Sequence, residues 1–270
     1  MSGRALAVKL VEKVWGRVRL PAPFAALANE RRGKRIGEIW FEPPPELPGV
    51  LAKYLFTSEK LSVQVHPSDA QAPEGARGKD ECWLVLEAEP GARLAIGFDA
   101  PVSRERMCAA ALDGSIVELL TWHPVRAGDF FYLPAGTVHA IGAGVSLIEI
   151  QQNSDLTYRL YDYGRPRELH LDRGVAVASG EPHDSRHRRW VGQSGAATLV
   201  EGPHFRLDRL DGAPGAETTL RYAGPLLVMP LEGTVALGAE TIAAGGCGFA
   251  DALGEVDFTH CPASLIAQPV

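Results

Sequence analysis

GDFFYLPAGTVH, residues 128–139, runs as a glycine, five residues, a proline, one residue, a glycine, two residues and a histidine. A strand that enters a Pro-x-Gly corner and leaves with a histidine aims one imidazole, that of His139, into the mouth of a small β-barrel. The apolar residues on either side of the corner, Phe131 and Leu133 and then Val138 and Ala140, suit strands with one buried face. A single histidine on an apolar strand is more often packing than a ligand. The reading therefore turns on whether the rest of a coordination sphere lies upstream.

Residues 61–69, LSVQVHPSD, supply half of it. Side chains alternate along a strand, so Gln64 and His66 share one face with Ser62, while Val63 and Val65 take the other. An amide and an imidazole on one face of an apolar run are costly to bury unless something binds them. Fifteen residues after His66 stands Glu81, in GKDECWLVLEA, where a carboxylate precedes the hydrophobic run Trp83 to Leu86. Gln64, His66, Glu81 and His139 make an N₂O₂ set for a divalent ion, with room for water.

Composition narrows the class. The chain has 270 residues, 46% hydrophobic and 22% charged, which fits a globular protein with a substantial core. A net charge of −6, with no basic run longer than Arg186 to Arg189, leaves no electrostatic footprint for nucleic acid. The opening MSGRALAVKLVEKVWG is too short and too charged for a signal peptide, and no window approaches a membrane span, so a cytoplasmic protein is expected. Cys82, Cys108, Cys247 and Cys261 lack CxxC spacing, so neither a disulfide scaffold nor a thiolate zinc site is indicated, and Cys82 reads as packing.

Many short apolar runs separated by glycine and proline turns argue for a mainly β fold, a barrel or sandwich. Expected strands are Ile36 to Phe41, Leu61 to Val65, Trp83 to Ala88, Arg93 to Gly97, Asp129 to Leu133, Ser146 to Gln152 and Leu156 to Tyr163. One helical insert, residues 101–120, interrupts them. Ser103 is its N-cap, Gly114 its stop, and Ser115 opens a second short helix with Glu118 in capping-box spacing. The polar stretch from Ala178 to Gln193 reads as a surface connection in which His183 and His187 are solvated. We therefore expect a catalytic metal-binding domain at 1–178, a connecting segment at 179–194, and at 195–270 a second β module whose ligand positions hold mainly Leu, Val, Ala and Gly.

The three segments LSVQVHPSD, GKDECWLVL and AGDFFYLPAGTVHAIGAGVSLIEIQQNSDLTYRLYDYGR resemble the type I mannose-6-phosphate isomerases, short bacterial form, within the cupin superfamily. VEKVWG near the N-terminus adds weaker support, and the similarity spans about residues 8–175. The resemblance implies a cupin, jelly-roll-like barrel followed by a degenerate cupin-like module. It places Gln64, His66, Glu81 and His139 on the zinc ligands and Arg159 on the catalytic arginine. Glu149 falls in the EIQQNSD segment, and Ser62 and Lys79 on positions that line the substrate and phosphate pocket. HPSDA and GKDECW depart from the usual HPDD and GKTEMW, and Ala143 stands where an asparagine often closes the cupin signature. The implied partner is a small sugar phosphate and the implied cofactor one zinc ion per chain, in a monomer or small homo-oligomer.

Aldose–ketose interconversion takes a proton from the carbon beside a carbonyl, returns it to the adjacent carbon, and must hold an anionic oxygen in between. A zinc ion with an open position acts there as a Lewis acid, and Arg159 adds a second fixed positive charge. Glu149, in the apolar run SLIEIQQ, either moves the proton, its pKa raised toward neutrality by burial, or buttresses Arg159 or a ligand histidine. Asp155 and Asp162 carry no assigned role. Two other readings compete: a sugar-phosphate-binding cupin without turnover, and an iron cupin dioxygenase. Gln64 stands where the first histidine of an HxH oxygenase would be, and metal analysis with oxygen consumption separates that case.

Overall fold

The computed structural model describes residues 3–30, 33–192 and 195–270, so Met1, Ser2 and the last two residues of the expected connection, Gln193 and Ser194, lie outside the described residues. Among the described residues the N-terminal part is a barrel of two facing antiparallel sheets. One has seven strands in the order Arg188–Trp190, Asp129–Leu133, Glu81–Ala88, Val145–Gln152, Val50–Phe56, Ile36–Phe41 and Val8–Arg17. The other has five, in the order Tyr158–Tyr161, Val63–Val65, His139–Ile141, Arg93–Phe98 and Leu120–Pro124. Trp15, Leu55, Trp83, Leu94, Ile96, Phe131 and Leu147 fill the space between them.

Both sheets are also covered on their outer faces. Outside the five-stranded sheet, Val63, Val65, Ala95 and Leu160 pack against Met107, Ala110 and Ala111 of the helix Arg104–Asp113. That helix begins as expected, the Ser103 hydroxyl accepting from Arg106 N, and ends at Gly114, whose φ of +85° is left-handed. The next helix, Ile116–Leu119, is a single turn in which Ser115 makes no side-chain cap bond, so the capping box expected there does not form.

Outside the seven-stranded sheet, Ile39, Tyr54, Phe56, Leu84, Phe130, Ile148 and Ile150 pack on Phe205, Leu207, Met229, Phe249, Leu265 and Ala267. These belong to a six-stranded sheet in the order Arg4–Ala5, Gly248–Ala250, Leu226–Glu232, Ala263–Pro269, Phe205–Asp211 and Ala197–Glu201. Beyond it lies a three-stranded sheet of Glu240–Ala243, Thr234–Leu237 and Val256–Asp257. The strands around the Pro-x-Gly corner, expected to bury one face, are buried on both, Asp129–Leu133 at all but Tyr132 and His139–Ile141 throughout. Val50–Phe56 and Val145–Gln152 are buried at every residue because one face lines the barrel and the other meets the C-terminal sheet.

Two pairings cross the boundaries expected from composition. Arg4 and Ala5 pair with Phe249 and Gly248 of the C-terminal sheet, and Arg188 to Trp190 pair with Phe131 to Asp129 of the barrel. In that connection His183 is not simply solvated. It is half-buried with Nε2 2.8 Å from the Tyr132 carbonyl oxygen, and burial lowers its pKa.

Candidate metal centre

The pleat brings the expected ligands together. Val63 and Val65 face the helices, so Gln64 faces the barrel, with His139 opposite it on one neighbouring strand and Arg159 opposite it on the other. Across the barrel, Glu81 and Trp83 alternate with Cys82 and Leu84, which are turned to the C-terminal sheet. Glu149 stands in register with Trp83 on one side and Lys53 on the other.

His66, Glu81 and His139 form the one group of metal-ligating type found among the described residues, their ligand atoms within 4.8 Å of one another and all three buried. His139 Nε2 is 3.3 Å from Glu81 Oε1, and His66 Nε2 is 3.6 Å from Glu81 Oε2. Ligand atoms about 2.0–2.2 Å from a tetrahedral ion stand about 3.3–3.6 Å apart, so these spacings suit one ion.

The tautomers fit as well. His139 Nδ1 is 2.9 Å from the Thr137 carbonyl and His66 Nδ1 is 2.8 Å from the Leu156 carbonyl, so each Nδ1–H donates to backbone and each Nε2 lone pair is left for the centre. Burial lowers His139 to about 4, and burial with the nearby Lys79 ammonium lowers His66 well below the usual value. Both rings are therefore neutral at neutral pH, the form that ligates. The Glu81 oxygens are buried and accept no hydrogen bond of good geometry, although Lys79 Nζ lies 2.6 Å from Oε2. Burial, countered by Lys79 and reinforced by Glu149, pushes Glu81 up to about 7. A buried carboxylate without geometric partners beside two neutral imidazoles is a donor set that a divalent cation completes.

Gln64 reaches the same point, with Nε2 3.2 Å from His139 Nε2 and Oε1 accepting from the Ser62 hydroxyl at 3.2 Å. A half-turn of the amide exchanges two groups of similar size and presents Oε1 as a ligand.

Lys79 is not a solvated turn lysine. It is buried, 3.3 Å from His66 Nε2, 2.6 Å from Glu81 and 3.5 Å from Glu149. Burial alone would lower it, but Glu149 and Glu81 hold it above the usual lysine range. Glu149 departs from expectation more sharply. Burial would raise it, yet Lys79 and Lys53, with hydrogen bonds from Lys53 at 3.2 Å and Trp83 Nε1 at 3.1 Å, bring it down to about 2. It is a fixed anion, and its partners are these three rather than Arg159.

A cleft of about 300 Å³ reaches Gln64 and Lys79 beside the centre and is lined also by Ser62, Glu149 and Arg159. Arg159 donates through Nη1 to the Glu168 carbonyl at 2.6 Å, while its Nε is buried without a partner. Asp155 also lines the cleft, and Asp162 is held by Arg165 at 3.0 Å and by Arg167 at 2.5 Å. Sequence reasoning missed Lys53, Glu38 and Trp40 of the same cleft. The signal for Lys53 was present, a lone charge inside the apolar run VLAKYLF, subject to the same burial cost as Gln64.

No family model matches the chain. It is 40% identical over 209 residues to a mannose-6-phosphate isomerase of Streptococcus mutans, a match covering 72% of this chain and 65% of that protein. It is 38% identical over 198 residues to the mannose-6-phosphate isomerase ManA of Bacillus subtilis, covering 68% and 62%. The chain thus spans less than two thirds of the length of the curated relatives it matches. The fold is shared with the crystal structure of a mannose 6-phosphate isomerase from Bacillus subtilis, at a TM-score of 0.74 and 24% identity over 99% of both chains.

Proposed function

We propose, from the premise that this chain is a homologue of the mannose-6-phosphate isomerases, that it is a metal-dependent isomerase interconverting mannose 6-phosphate and fructose 6-phosphate through an enediol(ate). The observation that carries this reading is the buried His66, Glu81 and His139 group in contact with Gln64 and Lys79, which line a cleft together with Arg159. Residues 1–178 are the catalytic metal-binding domain, 179–194 the connection and 195–270 a structural module, with Arg4–Ala5 and Arg188–Trp190 pairing across these bounds.

Gln64, His66, Glu81 and His139 are the ligands, and zinc is the ion that their N and O atoms suit. When bound, the ion supplies Lewis acidity toward the sugar carbonyl. Arg159, charged at every working pH, lies two strands from His139 and stabilises negative charge developing on the substrate. Lys79 keeps a protonated ammonium beside both carboxylates, where it donates to a substrate oxygen. Ser62 fixes the Gln64 amide through its hydroxyl and presents the same oxygen to the cleft. Glu149, ionised and shared among Lys53, Lys79 and Trp83, holds Lys79 in place rather than standing ready as a base.

A coupled assay for fructose 6-phosphate formed from mannose 6-phosphate tests the proposal on protein as purified, after chelation, and after zinc is restored. Turnover that vanishes and returns is the expected result. Fully metallated protein without turnover on mannose 6-phosphate overturns the assignment of this substrate.

A further inference from the structure

Asp80 separates Lys79 from Glu81, and its side chain points away from the cleft into contacts of its own. Oδ1 accepts from the backbone N–H of Ala135 at 2.8 Å, and Oδ2 accepts from the Tyr132 hydroxyl. Ala135 is the middle residue of the Pro-x-Gly corner that leads to His139, and the next N–H of that corner, Gly136, donates to the His66 carbonyl at 2.8 Å. The Asp80 backbone is pinned as well: its N–H donates to Gln152 Oε1 at 2.8 Å and its carbonyl accepts from Gln152 N at 3.0 Å. Behind it, Gln152 Nε2 reaches both Asp69 oxygens at 3.2 Å, and His204 of the C-terminal module lies 3.5 Å from Asp69 and 4.0 Å from Asp80.

We infer that Asp80 is a positioning residue for the metal centre, locking the strand start that carries Glu81 to the corner that carries His139. The inference rests on the metal-site reading above and adds to it a residue that touches neither ion nor substrate. One carboxylate satisfies two donors from the opposite segment while the neighbouring residue supplies the ligand. Loss of that bond frees the corner, and with it the His139 imidazole relative to Glu81. Misplacing a ligand by a fraction of an ångström is felt in metal affinity, and outer partners of metal ligands are commonly worth about 10–100-fold.

Asp80→Ala removes both acceptors, Asp80→Asn retains one oxygen for Ala135 N, and Tyr132→Phe removes only the hydroxyl donor. The decisive measurement is the zinc dissociation constant by chelator competition, with thermal unfolding of the metal-free proteins as control. Asp80→Ala is expected to weaken zinc binding about 10–100-fold, Asp80→Asn to recover most of that loss, and Tyr132→Phe to cost a few-fold. At saturating zinc, kcat for mannose 6-phosphate is expected to fall about tenfold in Asp80→Ala with KM within about twofold. Zinc affinity within twofold of the parent in both Asp80→Ala and Tyr132→Phe overturns the inference, whatever their melting temperatures. If Asp80→Ala does not fold, Tyr132→Phe decides alone. Weakened zinc binding in a protein inactive on mannose 6-phosphate would retain the positioning role and reject the substrate instead.

Discussion

Lys53 and Glu149 stand directly opposite each other on neighbouring antiparallel strands, with Nζ 3.2 Å from Oε1 and both side chains buried. The pair sits in the wall of the barrel, where the outer faces of the same strands are covered by Tyr54, Ile148 and Ile150 packed on the C-terminal sheet. Burial lowers Lys53 against the pull of Glu149, and Glu149 is held down to about 2 by Lys79 and Lys53 against burial. The pair keeps a negative charge beside Lys79 without leaving an isolated ion in the core.

Breaking the pair is therefore costly. Lys53→Ala leaves Glu149 with Lys79 and Trp83 only, and removal of one partner from a buried pair costs about 3–5 kcal/mol. Urea unfolding of the metal-free protein should show a loss on that scale. The double variant Lys53→Met with Glu149→Gln should lose less than the sum of the single changes. Additive losses would mean that the two charges do not interact.

On acidification the lowered groups His139, His66 and Glu149 should each cost the metal-free protein stability, while Glu81, raised to about 7, should return some. His139 is lowered to about 4, so as pH falls from 6.5 toward 4 the unfolded chain gains a proton that the folded chain refuses, and stability falls. At pH 5 this one residue costs on the order of 2 kcal/mol relative to neutral pH. Glu149, lowered to about 2, adds a second loss between its usual 4.5 and 2, because there the unfolded carboxylate protonates first. His66, lowered well below its usual value, adds to the upper loss, whereas Glu81, raised to about 7, takes up its proton first in the folded chain and offsets part of that loss between pH 7 and 4.5. The His139 contribution is therefore read by difference: urea midpoints of His139→Ala should fall less steeply from pH 6.5 to 4 than those of the parent. Parent and His139→Ala midpoints that run parallel over this range would contradict a neutral buried imidazole at His139.

Loss of one ligand should abolish metal retention and turnover together. His139→Ala or Glu81→Ala removes a donor outright, so activity should drop by more than the roughly 100-fold typical of an outer partner. Metal content after dialysis, read beside the coupled assay, checks it. A variant that keeps stoichiometric zinc while losing turnover would move that residue out of the ligand set.

The candidate ligand set was legible because polar side chains on apolar strands are exceptional. Gln64, His66 and Glu81 announce themselves against valines and a Trp-Leu-Val run, and a period of two assigns them a face. Seven strands were also readable from turns and alternation. The strand Val50–Phe56 was not, since burial on both faces erases the alternation and leaves a continuous apolar run. Lys53 disappeared with it. The charge state of Glu149 was beyond reach for a related reason. Its direction is set by Lys53 and Lys79, which are 96 and 70 residues away along the chain. Sequence shows that a carboxylate is buried, but only register shows what it is buried beside.

The same two-sided burial makes the C-terminal module a structural requirement. Phe205, Leu207, Met229, Phe249 and Leu265 cover Tyr54, Phe56, Leu84, Ile148 and Ile150, and the strand Arg4–Ala5 extends the C-terminal sheet rather than the barrel. Deleting residues 195–270 uncovers that face and leaves Arg4 and Ala5 without strand partners. An exposed apolar sheet face of this kind associates in water. The truncated chain is expected to be insoluble or to bind a hydrophobic dye strongly, without retaining zinc. A milder change, Leu207→Ala, should cost about 2–5 kcal/mol in the full chain. A soluble, monomeric truncation that still holds zinc would show that the barrel folds by itself, and would reduce the module at 195–270 to an independent appendage.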